Sequence, residues 1–87
     1  MQITRQMVGE KLIAYLRHEM TLDDLVGWAE QAMQEGEFED VDHDTLRDIV
    51  GRLGVADVRS FGLTWEDCER FLQVLGYSVR LEVVAQP

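Results

Sequence analysis

The residue types that most often carry catalysis are sparse in this chain, which has one cysteine, Cys68, and two histidines, His18 and His43. A cysteine acts as a nucleophile only when it is accessible and its thiol is activated by a base, a cation or a helix N-terminus. Cys68 falls on the same helical stripe as Phe71 and Leu72, which indicates a small core residue. A structural zinc site needs four ligands, usually cysteine and histidine, and the two histidines are far apart in the sequence. We therefore expect no catalytic residue, no cofactor, no metal site and no enzyme activity.

An acidic run, Asp40-Val41-Asp42-His43-Asp44, resembles the beginning of a calcium loop because its carboxylates stand at alternate positions. An EF-hand loop also requires glycine at its sixth position and glutamate at its twelfth. Counted from Asp40, these positions are occupied by Thr45 and Gly51. Both requirements fail, so we do not expect a specific calcium site, although the three acids could hold a divalent ion loosely.

Charge is the most informative feature of the sequence, because it is unevenly distributed. The 87 residues contain 17 acids and 8 bases, for a net charge of −9. Residues 19–48 contain 11 of those acids and a single base, Arg47, so this segment alone carries −10 and the rest of the chain +1. This segregation predicts one negative face, formed by the second helix and the loop after it. Such a face would steer a basic partner protein and speed its association.

The alternative is a solvated acidic surface that serves only solubility. If the face is functional, a tryptophan beside it would be the natural binding anchor, because tryptophan is enriched among the residues that dominate binding energy. The candidate partner-binding residues are Asp23, Asp24, Trp28, Glu35, Glu37, Glu39, Asp40, Asp42 and Asp44.

Composition also argues against several classes of partner. Phosphate backbones and anionic membranes attract basic surfaces, so the negative charge argues against nucleic acid and membrane binding. A helix-turn-helix formed by the third and fourth helices would present Glu66, Asp67 and Glu69 to phosphates, which excludes that interpretation. No apolar stretch reaches the length of about 20 residues that spans a bilayer. The lone cysteine and the absence of a signal peptide favour the cytoplasm.

The hydrophobic pattern predicts one mainly α domain over residues 1–87, with four helices. The predicted helices cover residues 4–17, 22–34, 43–53 and about 65–75, with Thr4, Thr21, Asp42 and Thr64 as caps. Gly36, Gly54 and Gly76 are predicted to end the last three helices, and Phe38 and Val41 to anchor the acidic loop. The predicted core comprises Val8, Leu12, Leu16, Leu22, Leu25, Val26, Ala29, Leu46, Ile49, Val50, Leu53, Phe61, Cys68, Phe71, Leu72, Leu75, Val79 and Leu81.

Residues 77–84 change to a period of two, with Tyr77, Val79, Leu81 and Val83 at alternate positions, which predicts a C-terminal β-strand. A single strand cannot satisfy its own backbone hydrogen bonds, so it needs a partner. Residues 1–4 could supply one, the same strand of a second copy could pair with it in a homodimer, or another protein could add a strand to its edge. All three alternatives stay open at this stage.

In length, charge and number of helices the chain resembles the small acidic helical immunity and antitoxin proteins of bacteria. The resemblance is one of type and rests on no motif. It implies a protein-binding module, such as an inhibitor, an immunity-like protein or an adaptor. The alternative is a structural subunit that forms a homo-oligomer through its C-terminal strand.

Overall fold

The computed structural model describes residues 1–86 and contains four α-helices and one short sheet, which confirms the mainly α class. No helix in this part of the chain is both long and apolar enough to cross a membrane. Along the chain the elements are β1 (Gln2–Ile3), α1 (Arg5–Leu16), α2 (Leu22–Glu35), β2 (Glu37–Phe38), α3 (His43–Leu53) and α4 (Trp65–Val74).

Three of the four predicted caps are confirmed by side-chain hydrogen bonds. Thr4 Oγ1 accepts from the backbone N–H of Met7 at the start of α1. Thr21 and Thr64 each accept from the third residue of their helix, whose aspartate accepts in return from the cap N–H. These reciprocal pairs satisfy donors that would otherwise lack partners at the helix N-termini. The fourth prediction is wrong in mechanism: Asp42 precedes α3 in a left-handed conformation (φ 66°), and its side chain makes no cap hydrogen bond.

The two strands form a parallel pair with Gln2 opposite Glu37 and Ile3 opposite Phe38. This pairing leaves Ile3 fully buried. Close approach at this point requires a glycine, since a Cβ on Gly36 would lie 2.7 Å from Ile3 Cγ1 and 2.5 Å from the Ala32 carbonyl oxygen. Residues 1–4 therefore do pair with another strand, but their partner is β2 and not the C-terminal segment.

The core lies where α1 and the α2–α3 pair meet α4. The side chains that form it come from all four helices and from β1, and the partly buried Phe38 and Tyr77 pack against it. Most of the predicted core is confirmed, and Leu16, Leu22 and Val79 are partly buried. The prediction is wrong for two residues, because Phe61 is 53% exposed and Leu81 is 70% exposed. Val41 is 71% exposed, so of the two predicted anchors of the acidic loop only Phe38 packs against the core.

The end of α4 is a left-handed turn at Gly76 (φ 96°). The N–H of Tyr77 donates to the Leu72 carbonyl, and the N–H of Gly76 donates to the Gln73 carbonyl. These two bonds form a Schellman motif, which satisfies carbonyls at the helix C-terminus and redirects the chain.

The predicted C-terminal strand is wrong for the single chain: residues 77–86 form no strand. The predicted alternation of buried and exposed side chains is observed at the start of this segment, where Tyr77 and Val79 are half buried while Ser78 and Arg80 are exposed. Beyond them, Leu81 and Val83 are exposed, Val83 to 86%. The physical reason is that the strand prediction needs a hydrogen-bonding partner, and the N-terminal strand that might have supplied one pairs with β2.

Candidate functional site

The predicted negative face divides into two groups at opposite ends of α2. Asp23 and Asp24 lie in its first turn, and Glu35 lies in its last. Twelve residues of helix separate Asp23 from Glu35, or about 18 Å at the α-helical rise. Asp24 is further committed to the helix cap, where its carboxylate accepts from the Thr21 N–H. The acids of residues 35–44 therefore form the coherent group.

Trp28 is half buried and lines a different groove from Glu37 and Asp40. The Nζ atom of Lys11 is 5.7 Å from its ring centroid, a cation–π geometry between α1 and α2. Its other neighbours include Met7 and Met20, which line the same groove of about 660 Å³.

A depression of about 440 Å³ lies between the end of α2, β2 and the start of α3, and we call it the acidic depression. Its acidic members are Glu37 and Asp40, both exposed. The complete lining is Met33, Gly36, Glu37, Phe38, Asp40, His43 and Arg47.

Apolar and aromatic groups accompany the carboxylates of the acidic depression. Phe38 is half buried and meets the His43 ring edge to face, with 5.9 Å between ring centroids. Met33 is 38% exposed. A long basic side chain has an apolar stem and a charged head, so a surface that offers methionine and phenylalanine beside carboxylates matches both parts.

Two of the predicted site acids have structural contacts instead. Glu39 Oε1 accepts a 2.8 Å hydrogen bond from the backbone N–H of Arg5 at the start of α1. The Arg5 guanidinium pairs with the Asp42 carboxylate. These contacts join the first turn of α1 to the loop before α3, and they neutralise part of the charge that the sequence assigns to the face.

The other predicted site acids make only local contacts. Glu35 accepts from the Gln31 side chain on its own helix, and Asp44 lies 3.4 Å from His43 Nδ1. Both are exposed. Neither of them lines the acidic depression, whose two exposed carboxylates, Glu37 and Asp40, share it with one base, Arg47.

Cys68 is fully buried in α4, as its place on the helical stripe predicts. Burial, with a smaller contribution from the Asp67 charge, raises the pKa of its thiol to about 11. A nucleophilic cysteine needs the opposite shift, so the thiol is not activated. Within residues 1–86, no group of three or more His, Cys, Asp or Glu side chains is arranged to hold a metal ion.

Comparisons with protein-family models, curated proteins and solved structures give no significant match to this chain.

Sequence reasoning missed Met33 and Arg47 as neighbours of the acids. Met33 lies near the end of α2, where the helix meets β2. The path of the chain after Gly36, where β2 pairs with β1, and the packing of α3 on α2 bring these residues together. A two-residue strand has too little periodicity to reveal that path in the sequence.

Proposed function

We propose that this chain is an acidic protein-binding module that docks a basic segment of a partner protein at the acidic depression. The single observation that carries the proposal is the combination of exposed Glu37 and Asp40 with Met33 and Phe38 in one depression. Carboxylates pair with a lysine or arginine head group, and the apolar side chains cover its stem.

Charge distribution supports the same proposal. The segment of residues 19–48 carries −10, and the acidic depression lies within it. Opposite charge on a partner raises the association rate, and salt screens this effect. An inhibitor, an immunity-like protein and an adaptor would all use a surface of this kind. We further propose a cytoplasmic location, since the one cysteine is buried and reduced.

The experiment compares capture of partner proteins from cell lysate by the wild-type chain and by Glu37→Gln/Asp40→Asn. A matched control, Glu30→Gln/Asp57→Asn, removes the same charge from exposed positions outside the depression. We expect a basic protein that elutes at moderate salt from the wild type and from the control, but is lost with the depression variant. If both variants lose the captured protein equally, binding depends only on net charge, and the assignment of the acidic depression as the binding site is refuted.

A second candidate function is a structural homodimer formed through residues 77–84. The observation that favours it is the exposure of Leu81, Val83 and Val84 in one short segment. Within the part of the chain that the structure describes, the backbone groups of residues 78–86 make no hydrogen bond to other backbone groups. Sedimentation equilibrium tests this candidate: a concentration-dependent dimer supports it, and a monomer at millimolar concentration refutes it.

A further inference from the structure

From the segment of residues 77–86 we infer a specific self-recognition mode: two copies pair antiparallel about a two-fold axis at Leu81. This register rests on the second candidate function, the homodimer, and is independent of the acidic depression. In this register, two residues lie opposite each other across the pair when their residue numbers add to 162, so that Leu81 lies opposite Leu81 of the second copy.

Charge complementarity selects this register. Arg80 of one copy faces Glu82 of the other, and the symmetry repeats this pair on the opposite side of the axis. Moving the axis to residue 80 would place two arginines opposite each other, and moving it to residue 82 would do the same with two glutamates. Opposite charges across strands stabilise an antiparallel pair, and like charges destabilise it.

Apolar side chains fit the same register. Val79 faces the partner's Val83, and Leu81 faces its own counterpart on the axis. In an antiparallel pair, opposed residues project to the same face of the sheet, so these side chains form one continuous apolar face. An axis between residues 80 and 81, or between 81 and 82, would instead place Leu81 opposite Arg80 or Glu82, and Val83 opposite Ser78 or Arg80.

The helices supply a surface to support the apolar face. An isolated two-stranded ribbon is marginally stable in water and needs packing against another element. Residues 77–82 lie along a groove of about 420 Å³ whose helical lining includes Ile13, Leu16 and Trp65. A second groove of about 720 Å³ shares Leu16, Trp65 and Leu81 with the first. Partner residues added to the exposed edge of this segment would extend the apolar contact with the two grooves.

Pairing would also satisfy the backbone. Among residues 1–86, the N–H and C=O groups of residues 78–86 have no backbone partners. Unpaired backbone groups of this kind are a template for strand addition. The self-complementary sequence makes a second copy the occupant that the charges and side chains both fit.

A charge-exchange experiment tests the register by sedimentation equilibrium. Arg80→Glu and Glu82→Arg should each weaken the homodimer about tenfold, because each opposes like charges at two symmetric positions. Mixing the two single variants should restore dimerisation, since each then faces the opposite charge. The double variant Arg80→Glu/Glu82→Arg should form its own dimer again. Failure of the mixture and of the double variant to recover would overturn the register.

Cysteine cross-linking gives a second measurement. Opposed Cα atoms lie about 4.5–5.5 Å apart, within the range that a disulfide bridges, so Leu81→Cys should form a linked dimer on mild oxidation. Val83→Cys is the matched control, because its two copies would be about 14 Å apart along the strands. Cys68 is buried and should not compete.

The outcomes separate the two claims. A wild-type monomer at millimolar concentration would overturn both the homodimer and the register. A wild-type dimer that links at Val83→Cys but not at Leu81→Cys would overturn the register and leave the homodimer standing. Neither result would bear on binding at the acidic depression.

Discussion

The ring of Tyr77 lies so close to the backbone of Gly9 that a Cβ atom built on Gly9 would come within 2.5 Å of Tyr77 Cε2. This contact fixes the start of the C-terminal segment against α1, immediately after the turn at Gly76. The absence of a side chain at Gly9 is therefore required by packing, although glycine within a helix is unfavourable by itself.

A double-mutant cycle tests this contact. We expect Gly9→Ala to destabilise the protein by about 1–2 kcal/mol, because the added methyl group displaces the Tyr77 ring. In a Tyr77→Ala background the same change should stabilise it by about 1 kcal/mol, because only the helix propensity then differs. Urea unfolding of the four proteins gives the coupling energy, and an equal effect of Gly9→Ala in both backgrounds would contradict the contact.

Gly27 in α2 should behave in the opposite way. It is exposed, and a Cβ added there would meet no atom within 4 Å, so no close helix approach accounts for it. Gly27→Ala should raise the free energy of unfolding by about 1 kcal/mol through helix propensity alone. Thermal unfolding monitored by circular dichroism checks this, and destabilisation would reveal a contact that the structure does not contain.

Asp67 should make stability depend on pH in the acidic range. Its pKa is lowered from the ordinary value of 3.8, chiefly by the hydrogen bond from the Thr64 backbone. Burial opposes this shift, and Thr64 Oγ1, Arg70 and Arg52 reinforce it. The folded state therefore favours the ionised carboxylate, so its stabilisation is present above pH 3.8 and is lost as the pH falls through the lowered folded pKa.

The measurement is the urea midpoint of the wild type and of Asp67→Asn between pH 2 and pH 6. The wild type should lose more stability than the variant as the pH falls through this window. Parallel curves would show that other carboxylates determine the acid response.

Cys68 should react slowly with thiol reagents in the folded protein. It is fully buried, and its pKa is raised to about 11, so little thiolate is present or accessible at pH 8. Its labelling rate should rise with urea in parallel with unfolding, as expected when reaction requires opening of the structure. Ser60→Cys, at an exposed position outside the proposed dimer segment, is the control for reagent activity, and rapid labelling of wild-type Cys68 would contradict its burial.

The helices were predictable because their signals are local. Thr21 and Thr64 each stand three residues before an aspartate, and both capping boxes form. In contrast, Ile3 could not be assigned to the core from sequence, because its burial depends on pairing with Phe38, 35 positions away. After Gly76 the alternation of buried and exposed side chains holds only as far as Arg80, and a period of two in the sequence does not ensure a strand partner.

The candidate site was predictable only in part. The charge count located the acids of residues 35–44, but it could not show that Arg5 engages Glu39 and Asp42. Nor could it show that Asp23 and Trp28 do not line the acidic depression, since that depends on the length of α2 and on the side of it that faces α1. The charge count predicts an acidic surface, and the tertiary contacts determine which of its carboxylates remain available to bind a partner.

The most direct test of the central claim is an NMR titration of the ¹⁵N-labelled chain with a short arginine-containing peptide. The proposed function predicts that amide shifts concentrate at Glu37, Phe38 and Asp40, and that salt and Glu37→Gln/Asp40→Asn both abolish them. Shifts spread equally over Asp23, Asp57 and the depression, or unchanged in the variant, would contradict the assignment of the acidic depression as a binding site.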